Sequence, residues 1–353
     1  MKRVAIIGSH GLYANYGGWD QLVKNLAEKK SNSKLFYLIF NSKEAPSDLP
    51  YLPIGVVVKQ INLKASGFQG LFYDFWTILK CYFKVDTILL LGVQGVPLIS
   101  ILRLFKSVTI ISNVGGLEWE RPKFGYWTKM YLKFCYNISF QLSKNVILDN
   151  EYFLKFAPNS RKYKAVIVPY GGEIDISLDV TKVLTEKYPF LETDYYLSIS
   201  RALEDNYLDK ICETFSKTNS TLVLISNFSS SSYGKKVFER YSNKGNLILI
   251  NGLYEKSELD LVRRKCKAYI HTHTLCGTAP SLVEMIVSRR PIISVDVPPN
   301  RFTLDNSGIF FKSYDELKDI LETNFDLEKA KPKSELIAKY SWQTVVNTYQ
   351  ELY

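Results

Sequence analysis

The stretch AYIHTHTLCGTAPSLVEMIV, residues 268–287, decides the fold of this chain. It opens on the apolar run Ala268–Ile270, which is typical of a buried strand, and a second such run, PIISV, follows at residues 291–295. Between the runs, a turn that contains Gly277 leads into apolar residues at helical spacing: Leu282, Val283, Met285 and Ile286. The order strand, turn, helix, strand predicts one unit of a parallel α/β sheet.

Two interpretations of this turn are open. Ligands of parallel sheets bind where strands end and helices begin, because a helix start offers unpaired N–H groups and a positive dipole end to an anion. A phosphorylated ligand is therefore expected between Gly277 and Glu284. The alternative is a capping box, in which Ser281 caps the helix and Glu284 reaches back to it, and this role would be purely structural.

The same alternation extends over the whole chain. Strand-like runs are predicted at 4–7, 35–40, 56–61, 87–91, 108–112, 146–148 and 166–168, and again at 195–200, 222–226, 247–250, 268–271, 292–295 and 309–311. Helices are predicted at 19–30, 71–83 and 124–142 in the first half, and at 334–352 at the end. Such alternation, over 353 residues, predicts two doubly wound Rossmann-like domains facing across a cleft. We place them at 1–174 and 175–333, and expect residues 334–353 to cross back towards the first domain.

The composition indicates which classes of ligand and which cellular compartment are expected. A net charge of +10 favours anionic ligands such as nucleotides or a phospholipid surface. The lysines are dispersed, which argues against nucleic acid. Five scattered cysteines without a C-x-x-C pair indicate free thiols in a reducing compartment. With no signal peptide and no apolar run near the ~20 residues that span a bilayer, the chain is expected to be cytoplasmic, with any membrane contact at the inner face.

The helix that follows Arg121–Lys123 mixes aromatic residues with lysines in the run FGYWTKMYLKF, residues 124–134. A basic, aromatic helix of this kind can lie at a lipid headgroup layer. The alternative is a core stripe with lysines on the solvated side. The sequence leaves both open.

The loop after the first strand excludes a dinucleotide fingerprint. G-x-G-x-x-G requires a glycine two residues after Gly8, where this chain has His10, so an NAD enzyme is disfavoured. The loop instead ends in Gly17 and Gly18, whose backbone can approach a ligand at a helix start.

The histidines do not indicate a metal site. His271 and His273 alternate at a strand end, so we expect them on opposite faces, one towards a ligand and one towards the core. No third ligand has metal spacing and no D-x-D occurs, so no metal and no cofactor are predicted.

Ordered motifs along nearly the whole chain resemble the GT-B-fold retaining glycosyltransferases of family 4, in their bacterial rhamnosyltransferase-like branch. They are VAIIGSHG at 4–11, ANYGG at 14–18, GGLEW at 115–119, VPYG at 168–171, YYL at 195–197 through Arg201 to Asn206, HTHTLCGTAPSLVEM at 271–285, and YSW at 340–342. The resemblance implies sugar transfer with retention, from a nucleotide-sugar donor held by the second domain to an acceptor held by the first.

It also implies roles for single residues. The catalytic candidates are Arg201, on the leaving diphosphate, Glu284, on the ribose hydroxyls, and Glu118, the carboxylate nearest the acceptor. The donor-binding candidates are Gly17, Gly18, Arg201, Asn206, Tyr254, His273, Gly277, Thr278, Ser281 and Glu284. The acceptor would be a lipid-linked saccharide or oligosaccharide in surface polysaccharide synthesis, and the sugar could be rhamnose from a dTDP donor.

Five positions depart from the family pattern. Asn206 stands for a lysine, Cys276 for the first of two paired glutamates, Gly115 for an acid, His10 for an arginine and Tyr13 for a proline. Two alternatives therefore stay open: a nucleotide-sugar epimerase of the same fold, and an inactive nucleotide-sugar-binding partner subunit.

Overall fold

The computed structural model describes residues 1–14, 17–120, 124–274, 277–323 and 325–353. Asn15 and Tyr16 of the first glycine-rich motif, the basic segment 121–123, and Cys276 lie outside the described residues. The chain divides into two compact units. Unit 1 comprises Met1–Gly171 and Trp342–Tyr353, and unit 2 comprises Gly172–Ser341.

Unit 1 is built on a seven-stranded parallel sheet with the order β3-β2-β1-β4-β5-β6-β7. The strands are β1 Lys2–Ile7, β2 Leu35–Asn41, β3 Val56–Gln60, β4 Thr87–Leu91, β5 Thr109–Gly115, β6 Asn145–Leu148 and β7 Ala165–Ile167. The α-helices between them are α1 Gly18–Glu28, α2 Gln69–Cys81, α3 Val96–Leu102 and α4 Tyr126–Leu142.

Both faces of this sheet are covered, because its strands alternate buried apolar residues on the two sides. Val4 and Ile6 of β1 belong to the cluster that includes α1 and the C-terminal helix. Ala5 and Ile7 belong to the opposite cluster, which includes α2 and α3. The helix α4 packs over β5 and β6 in a further cluster with Leu132, Tyr136 and Phe140. This is the doubly wound arrangement that the alternation predicts.

Unit 2 has a six-stranded parallel sheet with the order β10-β9-β8-β11-β12-β13. The strands are β8 Tyr196–Ile199, β9 Leu222–Ser226, β10 Leu247–Asn251, β11 Ala268–His271, β12 Ile292–Val295 and β13 Ile309–Phe311. The helices are α5 Lys182–Lys187, α6 Leu208–Phe215, α7 Ser232–Tyr241, α8 Lys256–Lys265, α9 Pro280–Val287, α10 Pro298–Leu304, α11 Tyr314–Glu322 and α12 Ser334–Lys339. The strand order reverses between β8 and β11, as it does between β1 and β4 in unit 1.

The prediction of one continuous C-terminal helix at 334–352 is wrong. The helix α12 ends at Lys339, and a separate helix, α13 Trp342–Leu352, follows. The break has a packing cause, because Tyr340 is anchored in unit 2 by a 3.0 Å hydrogen bond to the carbonyl of Thr303, whereas Trp342 packs in the unit 1 core. Unit 2 therefore ends at Ser341 rather than at the predicted residue 333, and it begins at Gly172 rather than at 175.

The helix α13 completes unit 1. Its Tyr349 hydroxyl accepts a 2.6 Å hydrogen bond from the amide of Asn113 on β5. The side-chain ammonium of Lys2 on β1 donates to the carbonyl of Tyr353 at 2.5 Å. A Cβ on Gly171 would lie 2.5 Å from the Trp342 ring, so this glycine is what lets α13 pack closely. No helix in the described part of the chain is long and apolar enough to cross a membrane.

Candidate functional site

The main candidate site lies at the carboxyl ends of β8 and β11 in unit 2. These neighbouring strands flank the point where the strand order reverses, which is where doubly wound sheets bind ligands. Arg201 follows β8, and Thr272 and His273 follow β11. Residues that are about 70 positions apart in sequence are thus placed at one edge of one sheet.

A chain of two hydrogen bonds connects Thr272, after β11, to Arg201, after β8, through Asn206. The hydroxyl of Thr272 donates to the carbonyl of Asn206 at 2.7 Å. The side-chain amide of Asn206 donates to the carbonyl of Arg201 at 2.8 Å. Asn206, predicted as a donor-binding residue, therefore fixes the turn that carries the exposed Arg201 side chain.

His273 lies near Arg201 as a neutral imidazole, in the region between the ends of β8 and β11 that we call the β8–β11 crevice. Burial and the positive charge of Arg201, against a smaller opposing effect of Asp205, lower the pKa of His273 to about 4. Its Nε2 is buried and has no hydrogen-bond partner among the described residues. A neutral imidazole with an unused nitrogen can hydrogen-bond a hydroxyl without adding a charge to the site.

The expectation that His271 and His273 face opposite sides is wrong. Their rings are in edge contact, with centroids 4.7 Å apart. Successive side chains of an extended chain alternate between its two faces, so residues two positions apart share one face, and the spacing of His271 and His273 favours this contact. His271 is 1% exposed, and burial followed by the charge of His273 lowers its pKa well below the usual value. Both of its ring nitrogens are without a partner in the described part of the chain.

The helix α9 begins earlier than the capping-box interpretation requires, so that interpretation is wrong. Its N-cap is Ala279 and its first residue is Pro280, which places Ser281 inside the first turn. Proline suits the first position because the N–H that it lacks has no acceptor there. Gly277 and Thr278, both buried, lead into this helix start from the end of β11.

Glu284 projects from α9 to an arginine that sequence reasoning missed. The Arg263 guanidinium on α8 hydrogen-bonds through Nη2 to Glu284 Oε2, and through Nη1 to Asp260 Oδ1 at 2.6 Å. Arg263 and Asp260 are almost fully buried, whereas the Glu284 side chain is 28% exposed. The buried Arg263 thus holds the Glu284 carboxylate from its interior side, and the Glu284 side chain remains partly accessible to solvent. The Asp260–Arg263 spacing of three indicates an ion pair within α8, but it does not indicate the contact with Glu284.

Tyr254 is not brought to this crevice by the strand order. It follows β10, which lies at the sheet edge two positions from β8. Tyr254 is 85% exposed. Its ring lies close to Gly252, where a Cβ would be 2.6 Å from the ring.

Gly17 and Gly18 lie at the end of the loop after β1 in unit 1. The Gly17 N–H donates to Asp20 Oδ2 at 3.2 Å, so this amide has an acceptor within the chain. Gly18 is the first residue of α1, where a helical N–H lacks an intrahelical acceptor. Among the described residues, no atom lies within 4 Å of a Cβ built on Gly17, apart from those of its chain neighbours.

A histidine between two acids lies in the same loop. His10 Nδ1 is 3.2 Å from Asp20 Oδ2, and His10 Nε2 is 3.7 Å from Glu44 Oε2. Burial alone would lower the pKa of His10, but the hydrogen bond to Asp20 and the charges of Asp20 and Glu44 outweigh it and raise that pKa. The sequence singled out His10 only as a departure from a pattern, and neither acid was foreseen.

Glu118 lies in a short 3-10 helix just after β5 and is partly buried. The preceding Gly115 has φ +59°, a conformation in which most side chains are strained. A Cβ at Gly115 would lie 3.6 Å from the Trp19 ring. A Cβ at Gly92 would lie 3.3 Å from the same ring. The glycine that replaces the expected acid is therefore explained by backbone conformation.

The described residues contain no group of three His, Cys, Asp or Glu placed to hold a metal ion. The four described cysteines, Cys81, Cys135, Cys212 and Cys266, are free and buried.

Comparison with known proteins places this geometry in context. A family model described as a domain of unknown function, DUF1972, matches residues 1–88. A comparison with curated protein sequences found no match. Among solved structures, the chain is similar to a sucrose-phosphate synthase from Thermosynechococcus elongatus, with a TM-score of 0.78, 14% identity, and coverage of 100% of this chain and 98% of that one.

Two further structures are similar over their whole length. Anabaena HepE in complex with UDP and glucose matches with a TM-score of 0.75 and 12% identity, covering 99% of this chain and 98% of that one. An α,α-trehalose-phosphate synthase (UDP-forming) from Burkholderia xenovorans matches with a TM-score of 0.72 and 11% identity, covering 100% of both chains. At these identities the likeness shows the fold, which is the α/β GT-B fold with two doubly wound Rossmann-like domains.

Proposed function

We propose that this chain is a glycosyltransferase that moves a sugar, with retention, from a nucleoside diphosphate sugar to a saccharide acceptor. The observation that carries the proposal is the placement of Arg201 and His273 together at the β8–β11 crevice of unit 2, beside the start of α9. The crevice offers a permanent cation, a neutral hydrogen-bonding ring and a helix N-terminus. A cation and a helix N-terminus suit a phosphate, and a neutral ring suits the hydroxyls of a sugar.

Arg201 is the group suited to the leaving diphosphate. Negative charge grows on the phosphate oxygens as the glycosidic bond breaks, and a preorganised cation stabilises that charge more in the transition state than in the bound donor. A guanidinium stays charged at every relevant pH and presents forked donors to phosphate oxygens. The Asn206 side-chain amide donates to the Arg201 carbonyl and so fixes the backbone from which the Arg201 side chain extends.

Glu284 and His273 would hold the uncharged parts of the donor. Arg263 occupies Oε2 of Glu284, which leaves Oε1 to accept from ribose hydroxyls. The neutral ring of His273 would hydrogen-bond the transferred sugar, since its Nε2 has no protein partner in the described ranges. Gly277, Thr278 and Ser281 line the approach to α9 and would contact the phosphates, and Tyr254 would stack near the base from the end of β10.

The acceptor would bind to unit 1, with Glu118 as its nearest carboxylate. A lipid-linked saccharide of surface polysaccharide synthesis is the acceptor that the family resemblance supports, and the same resemblance supports retention and makes dTDP-rhamnose a donor to test. UDP and UDP-glucose are the ligands named for the similar HepE structures, and they support a nucleoside diphosphate sugar as the donor class. No metal and no cofactor are part of the proposal.

The experiment is an assay of nucleoside diphosphate release from a panel of donors, with and without a lipid-linked saccharide. We expect release that depends on the acceptor, together with a glycosylated product that keeps the donor's anomeric configuration. Arg201→Ala should abolish release, and Arg240→Ala, an exposed arginine on α7, is the matched control. Complete release without any acceptor would contradict the transferase and favour the epimerase alternative. Retained activity in Arg201→Ala would contradict the assigned site.

A further inference from the structure

The helix α2 carries apolar residues on two opposite faces. One face buries Tyr73, Ile78 and Cys81 against the unit 1 sheet. The other face, continued at both ends by flanking residues, exposes five large apolar side chains at helical spacing: Phe68 at 81%, Phe72 at 52%, Trp76 at 48%, Leu79 at 46% and Phe83 at 53%. A helix that only covers a sheet needs the first stripe and not the second.

A second exposed stripe lies on α4. Leu132, Cys135 and Tyr136 of this helix are buried, so the core interpretation of its aromatic run holds for one face. The other face exposes Tyr126 at 68%, Trp127 at 81%, Met130 at 51% and Phe134 at 55%. The end of α3 adds three more exposed apolar side chains, Ile101, Leu104 and Phe105.

These stripes belong to one helix layer. The Tyr82 hydroxyl, just after α2, donates to the carbonyl of Lys106, just after α3, at 2.8 Å. Arg103, at the end of α3, donates through Nη1 to the carbonyl of Leu142 at the end of α4, at 3.0 Å. All three helices lie over the same side of the sheet, so their exposed side chains share the outer surface of the layer, which we call the aromatic–basic face.

The charged residues of this face are almost all basic. The segments that form it, residues 64–84, 96–108 and 124–142, contain seven basic residues: Lys64, Lys80, Lys84, Arg103, Lys106, Lys129 and Lys133. They contain a single acid, Asp74, which is 2% exposed and turned inward. The Lys80 ammonium lies 4.9 Å from the Trp76 ring centroid, which mixes the basic and aromatic character within one patch.

We propose that the aromatic–basic face docks on the surface of an anionic lipid bilayer. Contiguous exposed apolar patches of this extent mark interaction sites. Trp and Tyr favour the boundary between headgroups and acyl chains, while Lys and Arg are attracted to anionic headgroups. The helices lie on the bilayer rather than span it, because the exposed stripe occupies only one side of each. The inference rests on exposure and charge and does not require the proposed transferase activity.

The test is cosedimentation of the full chain with vesicles of phosphatidylcholine alone and of phosphatidylcholine with phosphatidylglycerol. We expect binding to the anionic vesicles that weakens with added salt, and little binding to the neutral ones. The double variant Trp76→Gln/Trp127→Gln and the double variant Lys129→Glu/Lys133→Glu should each lose binding by roughly tenfold or more. Matched controls in unit 2 are Ile176→Gln/Val183→Gln and Lys235→Glu/Lys236→Glu, which change exposed residues of the same kinds and should leave binding unchanged.

Three outcomes would overturn the proposal. One is absence of binding to anionic vesicles at low salt by a chain whose thermal unfolding is normal. Another is an equal loss of binding in the face variants and in the unit 2 controls. The third is a lipid-free dimer, measured by light scattering, that the face variants dissociate, because a second copy of the chain would then cover this face. Blue-shifted tryptophan emission on vesicle binding, reduced in Trp127→Phe, would place the face itself at the lipid.

Discussion

Arg263 on α8 holds the carboxylate of Glu284 on α9 through Nη2 and Oε2, and the same guanidinium is bound by the fully buried Asp260. This link couples a predicted ligand-binding carboxylate to the packing of two helices. It also separates two effects of substitution at Glu284, because removing the side chain and neutralising it have different structural consequences.

Glu284→Ala should lower the free energy of unfolding by about 1–3 kcal/mol, because it leaves a buried guanidinium with one carboxylate partner fewer. Glu284→Gln keeps an oxygen for Arg263 and should unfold within about 1 kcal/mol of the parent. Both variants should bind a nucleoside diphosphate more weakly. Urea unfolding and calorimetric titration measure the two effects, with Glu239→Ala on α7 as a surface control. Equal stability of Glu284→Ala and the parent would show that the Arg263 link contributes nothing.

Unit 2 should lose stability as the pH falls towards 4. Its folded state holds the pKa of His273 at about 4, below the ordinary value near 6.5, and also lowers that of His271. Between these values the unfolded chain binds more protons, so stability rises with pH across that interval. The effect of His273 should be of order 1–3 kcal/mol. His273→Asn should flatten this part of the profile of unfolding free energy against pH, and an unchanged slope would contradict the burial of a neutral imidazole.

His10 should give the opposite slope at higher pH. Asp20 and Glu44 raise its pKa in the fold, so protonated His10 stabilises unit 1 fully below the unfolded pKa near 6.5, and this stabilisation is lost as the pH rises through the folded value. Asp20→Asn should remove most of it. Titration of the His10 ring protons by NMR measures the pKa directly. A folded pKa at or below 6.5 in the parent would disprove the interaction.

Gly17 and Gly171 test the difference between an open position and a packed one. Gly171→Ala should destabilise unit 1 by about 1–3 kcal/mol, because its Cβ would overlap the Trp342 ring. Gly17→Ala should leave the melting temperature nearly unchanged, since φ is −165° and no atom of the described residues beyond its chain neighbours lies within 4 Å of a Cβ there. If a ligand approaches this loop closely, Gly17→Ala should still raise KM.

Gly245→Ala is the control for both substitutions, because in the described part of the chain no atom lies within 4 Å of a Cβ built there. An unchanged KM in Gly17→Ala would remove Gly17 from the ligand site. An unchanged melting temperature in Gly171→Ala would mean that α13 can shift to admit a methyl group.

The strand pattern of the sequence was sufficient for the fold. Strands of parallel sheets are buried on both faces, so they form continuous apolar runs, such as Val4–Ile7 and Ala268–Ile270. Such runs are easily identified in a sequence. The break at Tyr340–Ser341 could not be predicted in this way, because both sides of it have helical spacing. The chain turns there for tertiary reasons, Tyr340 packing in one unit and Trp342 in the other.

The candidate site was predictable in its positions and less so in its contacts. The order of strands and turns was enough to expect the start of α9 at a ligand-binding edge, whereas the role of Arg201 was implied by the family resemblance. The partners Arg263 for Glu284 and Asp20 for His10 come from long-range packing, which local spacing does not encode. The capping box failed for a related reason, since Pro280 favours an earlier helix start than Ser281 does.

The central claim is that Arg201 and the β8–β11 crevice bind the diphosphate of a nucleotide sugar. The most direct measurement is calorimetric titration of UDP, dTDP, GDP and ADP into the parent chain, Arg201→Ala, and the control Arg240→Ala. The account predicts saturable binding of at least one nucleoside diphosphate by the parent and by Arg240→Ala, and binding weakened roughly tenfold or more in Arg201→Ala, the loss expected for a charge-assisted contact. Binding of equal strength in Arg201→Ala, or binding of none of the four by a folded parent chain, would contradict it.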